Sequence, residues 1–157
     1  MIRFSTISIP LPSLDYDLVS RWIEAVADAH GFITGRINYI LCDDDHILEV
    51  NRKHLNHDYY TDIITFDYSV PAKFDSDGVL CRRGRIAGDI FISVDTVASN
   101  AVAYGAEPSV ELLRVIIHGV LHLCGINDKG PGEREIMEAH ENEALALYRR
   151  LKDSDRS

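Results

Sequence analysis

Apolar and polar positions alternate at the start of this chain and then recur at helical spacing. The opening segment IRFSTISI alternates as a β-strand does, and Pro10 and Pro12 mark its end. From Asp15 onward the apolar positions are three or four residues apart, which predicts an amphipathic helix that ends at Gly31. The apolar face of this helix consists of Leu18, Trp22, Ile23 and Val26.

Three further strands and one further helix are predicted between Gly35 and Val94. The segment GRINYILC, residues 35–42, has the composition of a strand, and the acidic residues Asp43 to Asp45 favour the start of a helix that carries Ile47, Leu48, Val50 and Leu55. β-Branched and aromatic residues predict a third strand in TDIITFDYSV, residues 61–70. The Pro, Asp and Gly residues of the next segment, PAKFDSDGVLCRRG, indicate a long hairpin connection to a fourth strand, RIAGDIFISV.

The C-terminal half is predicted to be helical. Its helices run from Asp95 to about Tyr104, from Pro108 to Cys124 and from Glu133 to Leu151. The whole pattern predicts an α+β fold, a small mixed four-stranded sheet packed with about five helices. Because no repeat, linker or low-complexity segment interrupts the pattern, we expect residues 1–157 to form a single domain.

Composition is that of an ordinary globular protein. A chain of 157 residues can bury roughly 70% of its unfolded surface. Cys42, Cys81 and Cys124 have no short spacing and fit neither a disulfide framework nor a CxxC metal site. The sequence shows neither a signal-peptide-like start nor a run of about 18 apolar residues. We therefore expect a cytoplasmic protein with no membrane contact.

The formal net charge of −9 repels a nucleic-acid backbone, so any RNA binding must use a local basic patch. The segment CRRGR supplies a candidate patch with Arg82, Arg83 and Arg85. A solvated turn is the alternative interpretation of the same run. DNA is not expected as a partner.

The segment HGVLHLCGIND, residues 118–128, has the residue types and spacing of a metal site. Pro108 suits the first turn of the helix and Gly125 the position just past its end, so His118 and His122 fall on one face of the last two turns. Both rings can then reach one ion at about 2.0 to 2.1 Å. Gly125 can turn the chain back, and the HxxxHxxGxxH spacing of known zinc sites makes Asp128 the candidate third ligand.

Other interpretations of this segment stay open. The histidines could be half-buried residues that bond to carbonyl groups, although burying two such rings without partners is costly. A peptidase of the HExxH type would need a general-base glutamate after His118, where this chain has Gly119. That glycine indicates either room beside the metal or the close packing of a neighbouring backbone.

Three blocks of the sequence resemble the bacterial YbeY-type endoribonucleases, a family of rRNA maturation factors. HGVLHLCG matches the fixed positions of the family signature HGxLHLxGxDH through Gly125. The segment NRKHLNHDYYTDIITF, residues 51–66, resembles the family segment that ends in PTDVLSF, and GDIFIS, residues 88–93, resembles its GDI strand. The order and separation of the blocks also agree, from about Asn51 to the C-terminal helix.

The resemblance implies a metal-dependent hydrolase built on a mixed sheet with helices around it. Such an enzyme would hold one Zn²⁺ per chain and cut single-stranded RNA in small-subunit rRNA 3′-end maturation and ribosome quality control. Its partners would be rRNA and the small ribosomal subunit with its proteins. The third ligand of the family is a histidine, and Asp128 stands at its position. A carboxylate makes the site less positive, and two histidines and a carboxylate with open positions also suit iron(II) or another divalent ion.

The remaining catalytic residues are less clearly marked. The family's arginine upstream of the TDV segment aligns with Leu55, so Arg52, one helical turn earlier, and His57 are candidates for its phosphate-binding role. Asp62 and Asp89 are candidates for the general base, for turn caps, or for orienting a ligand histidine. We expect an activated water, or an adjacent 2′-hydroxyl, to attack an RNA phosphodiester. A non-catalytic ribosome-assembly factor with a structural metal and a hydrolase of another substrate, such as a peptide, are the competing functions.

Overall fold

The computed structural model describes residues 1–55 and 61–156, which hold six strands and five helices. The strands are β1 (Ile2–Thr6), β2 (Phe32–Cys42), β3 (Ile63–Asp67), β4 (Lys73–Phe74), β5 (Leu80–Arg82) and β6 (Gly84–Ser93). The helices are α1 (Tyr16–Ala29), α2 (Asp44–Leu55), α3 (Val94–Tyr104), α4 (Pro108–Leu123) and α5 (Glu133–Asp155).

Four of these strands form one mixed sheet in the order β1-β2-β6-β3. β1 pairs parallel to β2 and β2 parallel to β6, whereas β3 pairs antiparallel to β6 with Ile63 opposite Ile92 and Asp67 opposite Gly88. Gly88 allows a close approach between the two strands, since a Cβ there would lie 2.5 Å from the carbonyl oxygen of Phe66. At the other end of β3, the strand starts one residue after Asp62, so Asp62 lies at the margin of the sheet.

The main core lies between the sheet and helices α1, α4 and α5. Two buried side chains join these layers by hydrogen bonds as well as by apolar contact: the Trp22 indole donates to the Ala144 carbonyl at 2.7 Å, and the Tyr39 hydroxyl donates to the Ile116 carbonyl at 2.8 Å. A smaller cluster of Cys42, Ile47 and Ile64 contributes a second set of buried contacts from α2. Helix α4 therefore runs through the interior, and only one narrow face of it can carry polar chemistry.

Gly119 brings α4 close to the sheet. A Cβ at this position would lie 3.0 Å from Cδ1 of Ile90 and 3.2 Å from Cδ1 of Ile63. The glycine is buried against these two strands, so it serves packing. The neighbours that need the space are side chains of β3 and β6. From the sequence, this glycine indicated either room beside the metal or the packing of a neighbouring backbone.

The predicted α+β class, the four-stranded mixed sheet, the five helices and the single-domain organisation are confirmed. The third strand ends at Asp67, earlier than predicted, because the Asp67 side chain accepts a hydrogen bond from the Ser69 amide at 2.8 Å and turns the chain. The connection that follows contains a short two-stranded ribbon, β4 and β5, that the pattern did not predict. Within the described ranges, no helix has both the length and the apolar character needed to cross a bilayer.

Candidate metal centre

His118 and His122 lie side by side on the last two turns of α4. Their Nε2 atoms are 3.0 Å apart and their ring centroids 4.5 Å apart, with the ring planes nearly perpendicular. The two side chains are 20% and 29% exposed, although the residues beside them on the helix are almost all buried. The four-residue spacing thus produces the predicted pair of converging imidazoles.

Asp128 returns to these rings through a glycine-dependent helix end. Gly125 has a φ of +90°, a conformation that residues with a Cβ rarely adopt. Its amide donates to the His122 carbonyl at 2.9 Å and the Ile126 amide donates to the Leu121 carbonyl at 3.0 Å, the two hydrogen bonds of a Schellman motif. The turn directs the chain back toward α4, so that Oδ2 of Asp128 lies 3.2 Å from Nε2 of His118 and 3.4 Å from Nε2 of His122.

The spacing of these three ligand atoms fits a single divalent ion. A tetrahedral site with bonds of about 2.0 to 2.1 Å has ligand–ligand edges of about 3.3 Å, and the three observed separations are 3.0, 3.2 and 3.4 Å. Among the described residues, His118, His122 and Asp128 are the group of His, Cys, Asp or Glu side chains whose ligand atoms converge in this way. Two imidazoles and one carboxylate would leave at least one coordination position for water or substrate.

Glu141, on α5, fixes the orientation of the His118 ring. Its Oε2 lies 2.6 Å from Nδ1 of His118, and its Oε1 accepts a hydrogen bond from Nη1 of Arg114 at 2.9 Å. Arg114 also donates to Oδ1 of Asn142 at 2.8 Å. Because a carboxylate accepts hydrogen bonds, the proton of a neutral His118 ring lies on Nδ1, and Nε2 would be free to offer its lone pair to a metal ion.

The two histidines respond in opposite directions to this environment. Burial disfavours the charged ring of His118, but the hydrogen bond that the ring donates to Glu141 and the charges of Glu141, Asp128 and Asp62 outweigh burial and raise its pKa. Burial and the nearby His118 lower the pKa of His122. In the metal-free protein, His118 therefore gains a proton before His122 does as the pH falls.

A cleft of about 760 Å³ opens beside the metal ligands. Its walls come from single faces of α3, α4 and α5, from Asp62, which precedes β3, and from Ala106 and Asp128 in the connections between the helices. The polar residues that line it, besides Asp62, are Asn100, Tyr104, Glu111, Arg114, His118, Asp128, Arg134, Glu138 and Glu141. Burial raises the pKa of both Asp62 and Glu111, so protons are held more readily there than on an exposed carboxylate. A second cavity, of about 510 Å³, lies near the start of α4 around Ser109 and Tyr148 and shares no lining residue with this cleft.

Comparison with known proteins identifies the family. The family model described as Endoribonuclease YbeY matches residues 7–149. The chain belongs to the YbeY endoribonuclease family. A protein named Endoribonuclease YbeY from Phocaeicola vulgatus is 56% identical over 147 residues, covering 94% of this chain and 98% of that protein. One of the same name from Parabacteroides distasonis is 54% identical, covering 93% of this chain and 94% of that protein.

The fold of a solved structure agrees with this assignment. The solution structure of TM1509 from Thermotoga maritima matches with a TM-score of 0.59 and 25% identity over 95% of this chain and 92% of that one. The YbeY resemblance carried by the three sequence blocks is confirmed. It also extends toward the N-terminus, since the family match begins at residue 7 and the first block begins at Asn51.

The other predicted catalytic candidates lie in different places. Asp62 lines the cleft. Asp89 lies within β6, where its carboxylate accepts a hydrogen bond from the Asn38 amide at 3.0 Å, and it does not line the cleft. Arg52 is exposed on α2, and Leu55 ends that helix and is 40% exposed. His57 lies outside the described residues.

The three arginines of the CRRGR segment do not share one surface role. Arg83 binds the C-terminal end of α1, where it contacts Oδ1 of Asp28 at 2.9 Å and donates to the carbonyls of Asp28, Gly31 and Phe32. Arg85 lies on β6 with its aliphatic stem across Gly35. Arg82 is exposed on β5. RNA binding stays a prediction for all three arginines, and the contacts of Arg83 indicate that it also has a structural role.

Glu141, Arg114 and Glu111, which surround the candidate ligands, were not predicted from the sequence. A signal was present in the sequence: on an otherwise apolar helix, the polar positions Glu111, Arg114, His118 and His122 recur every three or four residues. Such a stripe predicts a polar face that lies against another polar element. The partner on α5 could not be found in this way, because polar residues are common along the whole of that helix.

Proposed function

We propose that this protein is a metal-dependent endoribonuclease that hydrolyses phosphodiester bonds of single-stranded RNA. The observation that carries the proposal is the convergence of His118, His122 and Asp128 at metal-binding separations beside an open cleft. The family adds the reaction class, since relatives that are more than half identical over nearly the full chain bear the name Endoribonuclease YbeY. An endoribonuclease cuts phosphodiester bonds within an RNA chain, so the name also gives the type of bond.

The proposed metal is one Zn²⁺ per chain, held by His118, His122 and Asp128. Two nitrogens and one carboxylate oxygen suit zinc at the observed separations, and iron(II) is compatible with the same ligand set. When bound, such an ion supplies a Lewis acid that activates water and offsets negative charge on a phosphate oxygen. The protein's own contribution is to hold the ligands in place before the ion arrives.

The residues around the ligands have separable tasks. Glu141 keeps the His118 proton on Nδ1, and Arg114 holds Glu141 in position. Asp62 lines the cleft, and burial raises its pKa. It is therefore our candidate for the group that takes a proton from the attacking water or 2′-hydroxyl. Arg134, which lies at the start of α5 and also lines the cleft, is the candidate for a phosphate contact.

The proposed substrate is the 3′-end region of small-subunit rRNA, and the proposed partners are that rRNA and the small ribosomal subunit with its proteins. One support is the family membership. The other is the net charge of −9, which disfavours the capture of free RNA, so we expect a partner to bring the RNA to the protein. A cytoplasmic location is part of the same proposal.

The test combines metal analysis with RNA cleavage. Purified protein should contain about one metal ion per chain by elemental analysis and should cut single-stranded RNA. His122→Ala and Asp128→Ala should lose both metal and cleavage, whereas His54→Ala, which removes an exposed histidine on α2, should keep both. Cleavage that persists unchanged in the first two variants would point to a contaminating nuclease and reject the centre. A metal-loaded wild type that does not cut RNA would support a structural metal instead.

A further inference from the structure

Three side chains of the metal cleft have functional groups without a partner among the described residues. Asn100 and Tyr104 lie on α3, and Arg134 lies on α5. Their amide, hydroxyl and guanidinium groups make no hydrogen bond or ion pair within residues 1–55 and 61–156. The other arginine of the cleft, Arg114, is engaged by Glu141 and Asn142. These three groups are thus available to a ligand.

The three side chains share the cleft with the metal ligands because each helix turns one face toward it. On α4 the residues of that face are Glu111, Arg114, Val115 and His118, and on α5 they are Arg134, Met137, Glu138 and Glu141. Both sets recur at intervals of three and four residues, as one helical face does. Asn100 and Tyr104 are four residues apart, so they form one face of α3. The cleft is therefore bounded by α3 and α5, with α4 and its ligands between them.

Tyr104 is well placed to receive a planar ligand. It is the last residue of α3, is 67% exposed, and is followed by Gly105, whose left-handed conformation ends the helix there. An exposed aromatic ring that borders a ligand cleft offers a stacking surface, and unstacked bases of single-stranded RNA use such rings. Asn100, one turn earlier, extends the same face with an amide that can pair with a base edge.

Arg134 brings a positive charge to a cleft whose wall is mostly acidic. The carboxylates of Asp62, Glu111, Glu138, Glu141 and Asp128 all line this cleft, so a phosphodiester meets a mostly acidic wall. Arg134 is the cation there that no described carboxylate neutralises. A guanidinium in this position can bind a phosphate through two parallel hydrogen bonds.

We propose that Tyr104 and Arg134 form a nucleotide subsite beside the metal centre, in which Tyr104 stacks on one unpaired base and Arg134 binds a phosphate of the same strand. The inference rests on the proposed endoribonuclease function. It gives a physical reason why the enzyme would prefer single-stranded RNA to a duplex. A base within a duplex has both faces covered by its neighbours, so it cannot stack on Tyr104 without first leaving the helix.

Binding of nuclease-resistant oligonucleotides to the metal-loaded protein tests the subsite. The probes are fluorescent 2′-O-methyl phosphorothioate octamers, one of adenosine and one of abasic residues, followed by anisotropy. Wild type should bind the adenosine octamer more tightly than the abasic one. Tyr104→Ala should reduce this ratio about tenfold, within the range measured for base–aromatic stacking. Tyr104→Trp should restore it, since a larger ring still stacks. Tyr68→Ala is the matched control, because Tyr68 is 61% exposed but does not line the cleft.

The phosphate contact has its own readout. Arg134→Gln should weaken binding of both octamers and lower the slope of log affinity against log salt by about 0.7, the value for one phosphate contact on a single strand. Arg150→Gln, an exposed arginine further along α5, should leave the slope near that of wild type.

Parallel measurements of metal content and of cleavage of unmodified RNA separate the two proposals. If wild type cuts RNA while Tyr104→Ala keeps the wild-type ratio between the octamers and the wild-type KM, the subsite is rejected and the endoribonuclease function stands. If metal-loaded wild type neither binds nor cuts RNA, both are rejected. Loss of the base-dependent ratio in Tyr104→Ala, with metal content intact, supports the subsite.

Discussion

The candidate metal centre and the CRRGR segment both have clustered polar or charged residues in the sequence, but only in the metal centre do the side chains converge in the structure. In the metal centre, the side chains of His118, His122 and Asp128 converge within 3.4 Å of one another. In residues 81–85, the arginines diverge: Arg83 binds the end of α1, while Arg85 packs across Gly35 and Arg82 is exposed on the ribbon.

The difference lies in what fixes the side-chain directions. On α4, residues four apart lie on one face of the helix whatever the rest of the fold is. The Schellman motif then fixes the direction in which the chain leaves the helix. In the CRRGR segment, the directions depend on how β5 and β6 pair and on what lies opposite each residue. A helical motif therefore predicts a site, whereas a charge run in a connection predicts only a surface composition.

The largest expected effect concerns Asp128, the proposed third ligand. Asp128→Ala should lower metal affinity by more than about 100-fold, because loss of a ligand exceeds the 10- to 100-fold loss seen when an outer hydrogen-bond partner of a ligand is removed. Asp128→His, which replaces the carboxylate by a third imidazole, should keep the metal. Competition with a chelator measures both affinities. Equal metal affinity of Asp128→Ala and wild type would show that the carboxylate is not a ligand and that, of the three residues, only the two histidines bind the metal.

Replacement of Glu141 tests whether the convergence depends on support from α5. Glu141→Gln removes the charge and weakens the hold on Nδ1 of His118, so metal affinity should fall about 10- to 100-fold. Glu138→Gln, three residues earlier in the same cleft and exposed, serves as the control and should stay near wild type. If the two variants lose the same affinity, the effect is one of general charge, and the specific contact at 2.6 Å has no special role.

Sequence patterns predicted those parts of the site that depend on local spacing. His118, His122, Gly125 and Asp128 are all within one helix and its end, where geometry follows from backbone periodicity. Glu141 is 23 residues away from His118 along the chain, and its contact depends on how α5 packs on α4. No local rule gives that packing, and the same holds for the cleft residues of α3.

The fold shows the same division. The alternation and the helical spacing predicted the four main strands and the five helices, because each buries one face against the core. The ribbon of β4 and β5 was missed since its residues are exposed on both faces and carry no alternation. The order of strands in the sheet, with β6 between β2 and β3, likewise depends on long-range pairing.

The pH dependence of metal binding should follow His118. Its pKa is raised above 6.5 in the metal-free protein, and the ring must lose its proton to bind an ion. Protonated His118 therefore stabilises the metal-free fold below pH 6.5, and this stabilisation is lost as the pH rises through the raised pKa. The thermal shift caused by added Zn²⁺ should accordingly grow as the pH rises from 6 to 8, with affinity changing by about tenfold per pH unit below the pKa. In Glu141→Gln the onset should move to lower pH.

The smallest expected effects separate Arg83 from Arg82. Arg83→Ala removes hydrogen bonds to the Asp28 side chain and to carbonyls at the end of α1. The side chain is 37% exposed, so we expect a loss of about 1 kcal/mol and a Tm lower by about 2 to 4 °C. Arg82→Ala should change unfolding free energy by less than about 0.5 kcal/mol, and any effect it has should be on the salt dependence of RNA binding. Scanning calorimetry and anisotropy measure the two quantities. If Arg83→Ala instead weakens RNA binding at an unchanged Tm, the arginines act as one patch after all.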